Sequence, residues 1–80
     1  MRSKIQLLKR SRCHLCDEAL QVLARLCLAR DIPFETIDID GTPDFETYSE
    51  DVPVLLVDGR KVMKHQFAER QLSRILDRLR

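Results

Sequence analysis

Residues 5–20 read IQLLKRSRCHLCDEAL, and the passage changes character twice. Ile5-Gln6-Leu7-Leu8 is a short, nearly unbroken apolar run, the pattern of a buried central strand. A polar break follows from Lys9 to Arg12. Then Leu15, Ala19, Leu20, Leu23, Leu26, Cys27 and Arg30 recur at three- and four-residue steps, which predicts an amphipathic helix from about Cys13 to Arg30. Asp17 and Glu18 fall in its first turn, where acids suit the helix dipole. Asp31-Ile32-Pro33 ends it, because proline pushes the residue before it out of the helical region. Cys13 and Cys16 therefore sit at a strand-to-helix corner, where sites gather in open α/β sheets.

The rest of the chain extends this beginning. Phe34 to Asp40 alternates Ile37 and Ile39 with Thr36, Asp38 and Asp40, which suggests a strand with one wet face at a sheet edge. Thr42-Pro43-Asp44 looks like the start of a short helix that closes before Asp51, with threonine as N-cap and proline at the first helical position. Val52 to Val57 is a second buried strand. Asp58-Gly59 is a hairpin signal, with Lys61-Val62-Met63 as the returning strand. Ala68, Leu72, Ile75, Leu76 and Leu79 mark one face of a last helix. The expected fold class is α/β, in the order β-α-β-(short α)-β-β-α. It is a four-stranded mixed sheet with helices on its faces, formed as a single domain over residues 1–80.

The bulk properties agree with a small folded domain. The chain has 80 residues, enough for one domain with an economical core. It is 44% hydrophobic and 34% charged with few glycines and prolines, unlike a disordered chain. A net charge of +1 argues against a general nucleic-acid or membrane binder. The charges are unevenly spread: Arg2, Lys4, Lys9, Arg10 and Arg12 are basic, every charged residue from Asp31 to Asp58 is acidic, and the chain turns basic again after Gly59. The chain is expected to be a monomer. Separately, no apolar run follows the opening Met-Arg-Ser-Lys and no stretch approaches a membrane span, so a cytoplasmic protein is expected. Thiols are kept reduced there, which favours a catalytic or metal-binding cysteine pair over a structural disulfide.

The corner matters because the thiolate, not the thiol, is the nucleophile. A helix N-terminus offers unpaired N–H groups and partial positive charge, and Arg10, Arg12 and His14 add positive or potentially positive charge around Cys13. Asp17 and Glu18 oppose them, so a moderate depression of the Cys13 pKa is expected. Cys16, three residues on, is positioned to attack a mixed disulfide formed at Cys13. A zinc half-site or two inert thiols remain alternatives. Zinc would need further ligands, and only His14, Cys27 and His65 are on offer. Cys27 should face the core about three turns from Cys16, as a small buried hydrophobe. His65 is expected near the sheet end or the start of the last helix, exposed to solvent. Val52-Pro53 opens the strand expected beside the first, at the same end of the sheet as Cys13; sequence leaves its cis or trans state open.

With these residues assembled, the chain resembles the glutaredoxin-like branch of the thioredoxin-fold superfamily along nearly its whole length. The likeness rests on the element order, Cys13-x-x-Cys16 after the first strand, Val52-Pro53 before the third, and the Asp58-Gly59 hairpin. It is greatest with small bacterial glutaredoxin-like proteins carrying Cys-x-x-Cys-Asp-x-Ala, matched by Cys13, Cys16, Asp17 and Ala19. The resemblance implies that Cys13 attacks, that Cys16 resolves, and that Pro53 is cis and packs against the cysteines. It implies that the Val52 backbone pairs with a bound substrate as an added strand would. Arg10 takes the position of a lysine that meets a glutathione carboxylate in glutaredoxins, and can pair with one in bidentate fashion. The chain departs from the typical pattern in having His14 and Leu15 inside the motif. It also has Asp51 before Val52-Pro53, and Met63-Lys64-His65-Gln66-Phe67 where a Gly-Gly turn is usual.

The expected function is that of a thiol–disulfide oxidoreductase acting on protein or glutathione substrates. Cys13 and Cys16 would be catalytic, and Arg10, Arg12, His14, Val52 and Pro53 would contact substrate. No tightly bound cofactor or metal is expected; glutathione enters as a co-substrate. Two other readings stand beside it: a thioredoxin-type binding module without turnover, and handling of a soft metal ion or iron–sulfur cluster through the two thiolates.

Overall fold

The first strand's apolar run pairs on both sides. In the computed structural model, which describes residues 3–79, β1 (Ile5–Lys9) lies between β2 (Glu35–Asp38) and β3 (Val54–Val57). β4 (Arg60–Lys64) completes a sheet of order β2-β1-β3-β4. β1 is parallel to β2 and antiparallel to β3, and β3 is antiparallel to β4. The two continuous apolar runs are thus the central strands and the alternating one is an edge, as expected. The architecture is the α/β arrangement foreseen, with helices α1 (His14–Arg30) and α2 (Glu69–Arg78). Arg2, counted above among the N-terminal cations, lies outside the described residues.

Alternation along the strands divides the core between two faces. Ile5, Leu7, Leu55, Val57 and Met63 meet Ala19, Leu23, Leu26 and Cys27 of α1 and Leu72 and Leu76 of α2. Leu8, Ile39, Val54 and Leu56 form the smaller cluster, flanked by Ile37, Phe45, Tyr48 and Val52. Both long helices therefore share one face. Among the described residues no long helix covers the other, where two 3-10 segments lie, Ile39–Gly41 and Pro43–Tyr48. Arg25 pairs with Glu69, and Arg30 Nε lies 2.7 Å from Asp77 Oδ1, which ties α1 to α2 beside their apolar contact.

Several boundaries differ from the sequence reading for local reasons. β2 stops at Asp38, not Asp40, because the Asp38 carboxylate accepts the Asp40 N–H at 3.0 Å and starts a 3-10 turn. The segment after Thr42 is 3-10 rather than α-helical and breaks at Phe45; the Thr42 hydroxyl donates to the Asp38 carbonyl instead of capping. α1 ends on Asp31 in the left-handed region at φ 54°, with the Ile32 N–H returning to the Cys27 carbonyl at 2.9 Å. Asp58 and Gly59, at φ 53° and 84°, make the tight hairpin turn that their pairing announces. Val62 is the extra residue of a bulge opposite Leu55 and Leu56, and packs with Met63 against the helical face.

Candidate redox site

Cys13 is the N-cap of α1, with extended backbone at φ −111° and ψ 103°. Its short side chain can reach back over the first turn as a serine oxygen would. Its Sγ accepts the Cys16 backbone N–H at 3.2 Å, and its carbonyl accepts the Asp17 N–H at 3.1 Å. The sulfurs of Cys13 and Cys16 are joined in a disulfide, with Cα atoms 5.1 Å apart. Cys13 is partly exposed while Cys16 is 0% exposed. The pair is thus asymmetric: one residue reaches the surface and the other belongs to the core.

The loop that carries Cys13 is fastened to the turn after β2. Asp40 Oδ2 accepts the Ser11 N–H at 3.2 Å, and Oδ1 accepts Arg10 Nε at 2.8 Å. These two bonds, the backbone one first, hold the Asp40 carboxyl below the ordinary carboxylate range. Arg10 also donates to the Ser49 carbonyl at 3.3 Å, and the Ser11 hydroxyl reaches Asp38 Oδ2 at 3.3 Å. Arg12 turns the chain into the helix at φ 58°. The positive rim expected around Cys13 is consequently narrower than the sequence suggests. Arg10 is paired with Asp40, and His14 Nε2 lies 3.3 Å from Glu18 Oε1. Arg12 is exposed and makes no side-chain hydrogen bond or ion pair among the described residues. Asp38, Asp40 and Ser11 are the site-supporting residues that sequence reasoning missed. The acidic run was visible, but not which of its members face the cysteine loop.

The Val52-Pro53 peptide bond is cis. Pro53 is buried, and β3 begins one residue later, at Val54, opposite Leu8. The cis-proline turn and the Lys9-to-Cys13 loop thereby share one end of two neighbouring strands. The Pro53 carbonyl accepts the His65 N–H at 2.8 Å, with His65 in the left-handed region at φ 66°. His65 Nε2 lies 3.7 Å from Asp51 Oδ1. His65 is thus exposed, as expected, yet its backbone is fixed to the turn before β3. Beside it an open groove of about 640 Å³ runs between the first turns of α1 and the β4–α2 connection. Cys27 is 1% exposed, and burial pushes its thiol up, only partly offset by Arg30. Among the described residues no three His, Cys, Asp or Glu side chains gather as a metal site, and no helix is long and apolar enough to cross a membrane.

A four-stranded mixed sheet, a bonded Cys-x-x-Cys pair at a helix start and a cis-proline at the same sheet end define a thioredoxin-fold protein, and support a redox-type function. The chain belongs to the Glutaredoxin-like domain family (DUF836), which it matches over residues 4–77. Among solved structures it is similar to protein XcR50 from X. campestris, with 33% identity, 92% of this chain and 96% of that one covered, and a TM-score of 0.74. Protein Ne2328 from Nitrosomonas europaea is 26% identical, with 100% and 94% covered and a TM-score of 0.75. Thioredoxin 1 from Thermosipho africanus, at 21% identity, 94% and 91% coverage and a TM-score of 0.69, shares the fold. No curated protein matches the chain.

Proposed function

We propose that this protein is a thiol–disulfide oxidoreductase with Cys13 as the attacking sulfur and Cys16 as the resolving one. The observation that carries the reading is the asymmetry of the pair: Cys13 is partly exposed and its Sγ accepts an N–H of the helix start, while Cys16 is fully buried beside it. In the reduced protein the same N–H and the helix dipole favour the Cys13 thiolate over the thiol. That thiolate attacks one sulfur of a substrate disulfide; the substrate S–S bond breaks, a Cys13–substrate disulfide forms, and the departing thiolate takes a proton. Cys16, having given up its proton, then attacks Cys13 Sγ and releases the second substrate thiol. The substrate gains two electrons and two protons, and the protein is left as the Cys13–Cys16 disulfide.

The cycle closes when an external thiol or dithiol reduces that disulfide. It uses no resident cofactor or metal, and glutathione enters only as a co-substrate. Arg12, His14, Val52 and Pro53 border the reacting sulfur in this reading, with Val52 offering its backbone to an extended substrate. Arg10 acts differently from a free carboxylate ligand, since its guanidinium is already held by Asp40.

Replacing Cys16 by serine tests the division of labour. The variant, incubated with a peptide disulfide or glutathione disulfide, is expected to accumulate a covalent adduct at Cys13 visible by intact mass. Adducts on Cys27, or none with any disulfide offered, would contradict the proposal.

A further inference from the structure

We infer that the groove between α1 and the β4–α2 connection selects the substrate, favouring polypeptide disulfides whose cysteine is flanked by a bulky apolar residue and then by a cation. The inference rests on the exchange reading above and names its substrate class. The groove starts inside the cysteine motif, because Leu15, one residue before Cys16, lines it. Leu15 is 40% exposed, so part of its apolar surface is open to an occupant of the groove. Val22 and Phe67 continue the apolar lining away from the sulfur, and both also pack against the helical core, so this floor is fixed rather than mobile. At about 640 Å³ the space suits two or three side chains of an extended segment.

Charge narrows the occupant further. Glu18 is the single Asp, Glu, Lys or Arg in the lining; the others are apolar, glutamine or His65. The facing groups are His14, 3.3 Å from Glu18, and His65 across the groove. His14 is outside the groove lining, and among the described residues no lysine or arginine pairs with Glu18, so its carboxylate is the one formal charge offered to an occupant. Of the two cations on the other side of the motif, Arg10 is occupied by Asp40, and Arg12, exposed beside Cys13, is outside the groove lining. A segment bearing carboxylates beside its cysteine therefore finds no free guanidinium in the groove and one like charge. A segment bearing lysine or arginine past an apolar residue meets Leu15 and then, one turn further along α1, the carboxylate of Glu18.

The test uses three symmetric peptide disulfides, with the cysteine flanked on both sides by Leu then Lys, by Leu then Glu, and by Gly then Lys, together with bis(2-hydroxyethyl) disulfide. Rates are measured in mildly alkaline buffer at about 0.15 M salt, where charges further than about 8 Å apart are largely screened. Ratios are compared between wild type and variant, so effects on the Cys13 thiol and the peptides' own reactivities cancel. Glu18→Lys is expected to lower the Lys-to-Glu peptide ratio by roughly three- to tenfold, as a surface attraction becomes a repulsion. Leu15→Ser is expected to lower the Leu-to-Gly ratio by about threefold or more. Both positions are exposed, so neither change endangers folding. If all peptides react and either ratio is unchanged in its variant, the groove does not select in this way and the inference falls. If wild type reacts with none of the disulfides, the small neutral one included, the exchange reading itself fails and takes the inference with it.

Discussion

The two ends of α1 hold cysteines in opposite circumstances. At the N-terminus Cys13 is partly exposed, its sulfur accepts a backbone N–H, and it is bonded to Cys16. Three turns beyond Cys16, Cys27 is 1% exposed among Leu23, Leu26 and α2, and its thiol is pushed up by burial. Residue type is the same and the helix is the same. What differs is access to solvent and to the unpaired N–H groups of a helix start, and those two conditions decide which sulfur can serve as a nucleophile.

The largest effect that separates the two ends is on activity. Cys13→Ser is expected to lower disulfide exchange by about three orders of magnitude or more, whereas Cys27→Ala should leave the rate within about twofold. Equal losses in a disulfide-reduction assay would erase the distinction. Stability should divide the other way. Leu23→Ala, in the core beside Cys27, is expected to cost about 2–5 kcal/mol in denaturant unfolding, while the folded fraction keeps its exchange rate.

A smaller effect sharpens the contrast through pH. The folded-state pKa of Cys27 is raised, so the native protein holds this proton more tightly than the unfolded chain does. That contribution is complete below the unfolded value, ordinarily near 9.0, and is lost as pH rises through it toward the folded one. Wild type should therefore lose stability over that alkaline window more steeply than Cys27→Ala, once both are compared with their stability at neutral pH. Parallel curves would mean that the buried thiol is not what titrates.

Much of this arrangement was legible because it rests on local rules. Nearly unbroken apolar runs at Ile5–Leu8 and Val52–Val57 gave the central strands, the three- and four-residue spacing gave α1, and Asp58-Gly59 gave the hairpin. What escaped depended on partners distant in sequence. Asp38 and Asp40, at the turn that ends β2, hold Ser11 and Arg10, some thirty residues earlier. The basic residues near Cys13 could be counted, but not that Asp40 and Glu18 would pair with two of them. α2 begins on Ala68, which has no side chain to cap with, so no N-cap signal marked its start. The groove of Leu15, Glu18 and Phe67 joins residues about fifty positions apart, and no pattern along the chain announces it.

The central claim is that Cys13 and Cys16 form a working couple while Cys27 stands apart. It is tested most directly by equilibrating the protein across a series of glutathione redox ratios, alkylating free thiols and reading each sample by intact mass with peptide assignment. The account predicts one reversible transition in which Cys13 and Cys16 lose and regain their thiols together, with Cys27 reduced throughout in the native protein. Three thiols that never change across the series, or a transition centred on Cys27, would contradict it.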